Sequence, residues 1–78
     1  MRVKVFLSYH CVSCREAVLF FEEMGINIEK IDVAHDRAGF EEMLKLGGIA
    51  TPFIVIGDTV MHTFERSKIV QMLEVLNP

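Results

Sequence analysis

The amino-acid sequence predicts an α/β fold in three layers, ordered β-α-β-α-β-β-α, on a four-stranded mixed sheet. Two observations carry that expectation. Four short stretches alternate or run continuously in apolar residues, and three longer ones repeat them every three and four positions. Glycines punctuate the boundaries between these stretches. The chain has 78 residues, 51% hydrophobic and 24% charged, which is the composition of a folded protein and not of a disordered one. That length is about half of the ~150 residues usual for one domain, so residues 1–78 are expected to form a single module.

Val3 to Leu7 is rich in β-branched and aromatic residues and reads as a strand ending near Ser8 or Tyr9. From Cys14 to Met24 the period changes. Ala17, Val18, Phe21 and Met24 mark the buried face of a helix that starts close to Cys11 and is capped by Gly25. Ile26 to Val33 is a second strand carrying Ile28, Ile31 and Val33; its alternation slips once, which implies a bulged or partly buried residue. Phe40, Met43, Leu44 and Gly47 give a second helical face, with Asp36 as N-cap and Gly47-Gly48 as the stop.

Phe53 to Ile56 is a continuous apolar run, expected of a strand covered on both faces. Gly57-Asp58 suits a type II′ hairpin turn, and Val60 to Phe64 returns as the fourth strand. Ile69, Met72, Leu73 and Leu76 stripe a last helix from about Glu65 to Leu76. The first two strands are joined by a crossover helix and so should be parallel and right-handed. The last two can only form an antiparallel hairpin. Helices at 12–24 and 65–76 then share one sheet face, with the middle helix on the other. Phe20, Phe40 and Met43 could suggest a docking patch, but their helical spacing points to core or partly buried packing.

Eight Lys plus Arg against eleven Asp plus Glu give a formal charge of −3. That balance argues against a strongly basic nucleic-acid binder and supplies no polybasic membrane anchor. No run of about 18 apolar residues occurs, and the first eight residues are too short for a signal-peptide core. The expected compartment is the cytoplasm. Cys11 and Cys14 are the two cysteines, too close together to staple distant segments as a secreted cystine scaffold does.

The chemistry centres on Tyr9-His10-Cys11-Val12-Ser13-Cys14-Arg15. A CxxC pair alone is ambiguous, since zinc sites share the spacing. Its place between a strand and a helix favours a redox pair. Unpaired N–H groups and the helix dipole should lower the Cys11 pKa and leave it the thiolate, with Cys14 one turn further in as resolving cysteine. Arg15 could add positive potential, or simply be a solvated helix residue. His10 could assist proton transfer, or be an exposed loop histidine, and Glu16 reads as surface. Tyr9, beside Cys11, could frame a substrate. Zinc would need further ligands from His10, His35, His62 or carboxylates; His10 adjoins Cys11 too closely for both to chelate well. A purely structural pair would constrain little of the unfolded chain. Thr51-Pro52 precedes the apolar third strand, where proline is tolerated and the backbone before it could pair with an extended substrate.

Cys11-Val12-Ser13-Cys14 after the first strand, Ile31-Asp32-Val33, Gly48-Ile49-Ala50-Thr51-Pro52 and Phe64 before the last helix together resemble the glutaredoxin branch of the thioredoxin superfamily. The resemblance spans essentially the whole chain. It implies a thioredoxin-like fold and a cytoplasmic thiol–disulfide oxidoreductase serving electron transport and cell redox homeostasis. It implies a cis peptide between Thr51 and Pro52, packed beside Cys11, with the Thr51 backbone aligning the substrate. No tightly bound cofactor is expected, the external reductant being glutathione or thioredoxin reductase with NADPH. The expected partners are disulfide-containing proteins and that reductant, the expected state a monomer. The competing reading is a non-enzymatic interaction or metal-carrying module that has kept the fold.

Departures from the family pattern bear on the reductant. Glutathione-using members carry a lysine three residues before the first cysteine, where Ser8 stands here, and a Gly-Gly pair before the final aromatic, where His62-Thr63 stands. Larger residues there should obstruct a backbone anion site. Val12-Ser13 replaces the usual Pro-Tyr. Val12 and the Gly57-Asp58 turn are similar to the glutaredoxin-like proteins that serve ribonucleotide reductase. Thr63 and Met61 replace that subgroup's glycine and tryptophan.

Overall fold

A computed structural model describes residues 2–76, with side chains through residue 75. The elements are β1 (Val3–Leu7), α1 (Val12–Glu23), β2 (Glu29–Asp32), α2 (Arg37–Lys45), β3 (Phe53–Ile56), β4 (Thr59–Met61) and α3 (Arg66–Leu76). The sheet order is β2-β1-β3-β4. β1 and β2 are parallel, with Phe6 opposite Ile31; β1–β3 and β3–β4 are antiparallel. Side chains on a strand alternate between faces, and the two cores follow that rule. Val3, Val5, Ile54 and Ile56 pack with Ala17, Phe20 and Phe21 of α1 and Ile69 and Leu73 of α3. Phe6, Phe53 and Ile31 pack with Met43 of α2. The expected three layers are present.

The first two helices, α1 and α2, end in the same way. Gly25, at φ +70°, donates to the Glu22 carbonyl, and Ile26 donates to that of Phe21. Gly47, at φ +97°, donates to Leu44, and Gly48 to Met43. This is the Schellman arrangement, which needs a left-handed residue just past the cap and so favours glycine. Asp36 is the N-cap of α2, its Oδ1 accepting the Gly39 N–H at 2.9 Å. Gly57 has positive φ while Asp58 does not, as a type II′ turn requires.

Four expectations are corrected. β2 pairs only over Glu29–Asp32, because Ile26 is taken up in closing α1; Ile26 and Ile28 pack partly buried against the first core. That accounts for the slip in alternation. Met24 is exposed, since the helix ends at Glu23 and Met24 turns away as the C-cap; Phe20 is buried in its stead. On α2, Phe40 and Leu44 are 42% and 46% exposed. Gly39 presses its backbone against Ile31, so the buried line of the helix runs through Gly39 and Met43 and leaves its neighbours outside. β4 stops at Met61; residues 62–63 bend, and Phe64 packs on the Phe20 ring at 5.6 Å instead of extending the strand. In the last helix Ile69 and Leu73 are buried, as the stripe predicts, while the side chain of Leu76 lies outside the described residues.

Candidate active site

The site lies where β1 ends and α1 begins. Ser8, Tyr9 and His10 form the connection, and His10 takes a left-handed φ of +59° that turns the chain into the helix. Cys11 is the N-cap of α1, with φ −111° and ψ 105°. Its Sγ accepts the backbone N–H of Cys14 at 3.1 Å, and its carbonyl accepts that of Arg15 at 3.2 Å. A serine or aspartate oxygen usually fills the position that this sulfur occupies. The sulfur therefore sits at the positive end of the helix, against an N–H that lacks an intrahelical partner. Cys14 is one turn in and 3% exposed, whereas Cys11 is only half-buried. The two are joined as a disulfide, with Cα atoms 5.2 Å apart.

A cavity of about 220 Å³ opens over the pair, and Ser8, Tyr9, His10, Cys11, Cys14 and Arg15 are among its walls. The structure thus gathers both cysteines with Tyr9, His10 and Arg15. Thr51 comes in by another route. Phe6 and Phe53 are the last β1–β3 ladder pair, and beyond it, two residues after Phe6 and two before Phe53, the Ser8 and Thr51 hydroxyls bond at 2.8 Å. The Thr51-Pro52 peptide is cis and Pro52 is buried, as the resemblance implies, though neither residue is among those lining the cavity. Where the family pattern has a lysine, a hydroxyl is engaged with another hydroxyl.

Glu16 and His62 are exposed, and His62 packs against the Phe53 ring at 5.4 Å. Among the described residues, no three His, Cys, Asp or Glu side chains are grouped to hold a metal ion. No described helix is long and apolar enough to cross a membrane. Sequence reasoning weighed His35 only as a metal ligand and did not single out Asp32 as a site residue. His35 packs edge-on against Tyr9, ring centroids 5.1 Å apart, and its Nδ1 lies 2.9 Å from Asp32 Oδ2. One signal was available. Asp32 closes a strand parallel to β1, and ligands in open α/β sheets gather beyond the carboxyl ends of parallel strands.

The Glutaredoxin family model matches residues 3–61. No curated protein sequence matches the chain. Among solved structures, the thioredoxin-like protein BC3987 is 25% identical, with a TM-score of 0.86 over 91% of this chain and 99% of its own. Glutaredoxin 1 from Francisella tularensis, crystallised with cacodylate, is 28% identical, with a TM-score of 0.66 over 99% and 98%. The glutaredoxin-like protein NrdH-redoxin from Escherichia coli is 24% identical and shares the fold, with a TM-score of 0.79 over 100% and 97%.

Proposed function

This chain belongs to the glutaredoxin family, and from that premise we propose that it is a dithiol carrier in which Cys11 attacks and Cys14 resolves. Its chemistry is thiol–disulfide exchange. The observation that carries the assignment of roles is the cap: Cys11 Sγ holds the Cys14 N–H at the exposed end of α1, while Cys14 is buried. In the reduced protein the same N–H and the helix end favour negative charge on Cys11. The Cys11 thiolate attacks one sulfur of a client disulfide, forming a mixed disulfide and releasing the other client sulfur as a thiolate, which takes up a proton. Cys14 loses its proton and attacks Cys11 Sγ. The second client thiol leaves, and Cys11 and Cys14 remain as the disulfide. The client gains two electrons and two protons.

Tyr9 forms part of the wall that the client meets, and Thr51 and Pro52 align its extended segment. Arg15 adds positive potential beside the thiolate, and His10 is placed to hand a proton to the leaving sulfur. The clients are disulfide-bearing proteins, and the carrier works as a cytoplasmic monomer without a nucleic-acid or membrane partner.

A protein reductase using NADPH, of the thioredoxin reductase kind, is the electron source that the residues favour over glutathione. The hydroxyl of Ser8 is bonded to Thr51 and offers no cation for a glutathione carboxylate. Side chains of His62 and Thr63 stand where a glycine pair would expose backbone N–H groups. The test is to oxidise the protein and follow its re-reduction with each source separately. The expected result is faster turnover with thioredoxin reductase and NADPH than with glutathione, glutathione reductase and NADPH. Faster turnover with glutathione would overturn the choice of reductant and leave the exchange chemistry intact.

A further inference from the structure

At the carboxyl end of β2, a group of side chains reaches the site without taking part in exchange. Asp32 organises the loop after it. Its carbonyl accepts the N–H of His35 at 3.1 Å and of Asp36 at 2.8 Å. Its carboxylate accepts the N–H of Ala34 at 3.0 Å and pairs with His35 Nδ1 at 2.9 Å. The His35 ring is 66% exposed yet fixed along one edge by this carboxylate. Its ring meets that of Tyr9 at 71°, the edge-to-face geometry that the aromatic quadrupole favours. Tyr9 is 67% exposed and lines the cavity over Cys11. A ring so exposed would sample several rotamers without a partner, and His35 supplies one.

We infer that His35, oriented by Asp32, is a positioning residue that fixes the Tyr9 ring beside Cys11 and makes the loop after β2 part of the client-recognition surface. This rests on the reading of Tyr9 as a wall that the client meets. The client class is a protein whose disulfide is flanked by an apolar side chain, which lies against the held ring. A small disulfide reaches Cys11 without using that ring.

The sequence supplies an unusually clean probe. Tyr9 is the only tyrosine and there is no tryptophan, so the intrinsic emission of the protein reports this one ring. In the reduced protein, His35→Ala is expected to lower the anisotropy of that emission, and His35→Phe, which keeps an aromatic edge, to retain most of it. With insulin as client, Tyr9→Ala and His35→Ala should each raise KM about two- to tenfold, the span of an aromatic pair. The kcat of His35→Ala, and its rate with hydroxyethyl disulfide, should not move. Tyr9→Ala/His35→Ala should match Tyr9→Ala alone. Unchanged anisotropy in His35→Ala, or a further rise in KM when His35→Ala is added to Tyr9→Ala, would overturn the inference. An unchanged KM in Tyr9→Ala would overturn the reading of Tyr9 on which it rests. Anisotropy reads the ring without any exchange, so failure of the redox assignment is seen separately.

Discussion

The amino ends of α1 and α2 are nearly the same piece of structure. Cys11 caps one with φ −111° and ψ 105°, and Asp36 caps the other with φ −120° and ψ 99°. Each side chain accepts the N–H three residues on, at 3.1 Å from Cys14 and 2.9 Å from Gly39. Each helix then ends in a Schellman turn. What differs is the capping atom. A carboxylate oxygen at Asp36 satisfies a backbone donor and does nothing more. A sulfur at Cys11 satisfies the same donor, and can also gain and lose a covalent bond. The candidate active site is an ordinary helix start in which a capping oxygen is replaced by sulfur and a second sulfur lies one turn inside.

The sharpest way to break the comparison is to restore oxygen. Cys11→Ser should keep the cap and the fold, since serine is a good N-cap, and lower the thermal stability of the reduced protein by no more than the thiolate at the helix end contributes. Reduction of insulin should be abolished; wild-type activity in this variant would sink the assignment. Cys14→Ser should still attack but stop at a mixed disulfide, seen by mass spectrometry as a client adduct.

The carboxyl ends of the helices offer the next test. After α1 the second residue past the cap is Ile26, partly buried; after α2 it is Gly48, whose added Cβ would meet Met43 Cγ and the Phe53 ring at 2.7 Å. Gly48→Ala should therefore destabilise by about 1–3 kcal/mol in urea unfolding, as overpacking does. An alanine at that place with no loss of stability would show that the second core yields freely. Asp36→Ala should cost about 0.5–2 kcal/mol, the usual value of a lost cap, with the exchange rate intact. Smallest and most direct is Asp36→Cys in a Cys11→Ser/Cys14→Ser background. If cap geometry alone activates a thiol, iodoacetamide should alkylate this cysteine a few times faster near neutral pH than the same cysteine in urea-unfolded protein. Equal rates would mean that Cys11 owes its reactivity to its other neighbours.

These comparisons also show which parts of the molecule the sequence discloses. A cap joins residues three apart, so Cys11 with Cys14 and Asp36 with the start of α2 are visible in a short window of chain. The two-sided burial of β3 is equally legible, because Phe53 to Ile56 has no polar interruption. Misreadings arise where a distant residue decides. The approach of Gly39 to Ile31 turns α2 so that Phe40 and Leu44 face outward, and no helical period contains that contact. β2 loses its first residues because Ile26 also serves α1. The pairing of Tyr9 with His35 joins loops that follow two separate strands, and only the β1–β2 register brings them level.

The Cys14 N–H that meets Cys11 sulfur has one further consequence, which is thermodynamic. Folding and oxidation of the cysteine pair form the legs of one closed cycle. Any preference of the helix end for a thiolate over a disulfide sulfur must therefore enter twice, once as extra resistance of the reduced chain to denaturant and once as a more oxidising couple. The exchange rate between the two scales is fixed, about 30 mV for each 1.4 kcal/mol of a two-electron couple. Urea melts of the two redox forms thus measure how far this helix shifts the potential of its own cysteines from that of an unfolded CxxC segment.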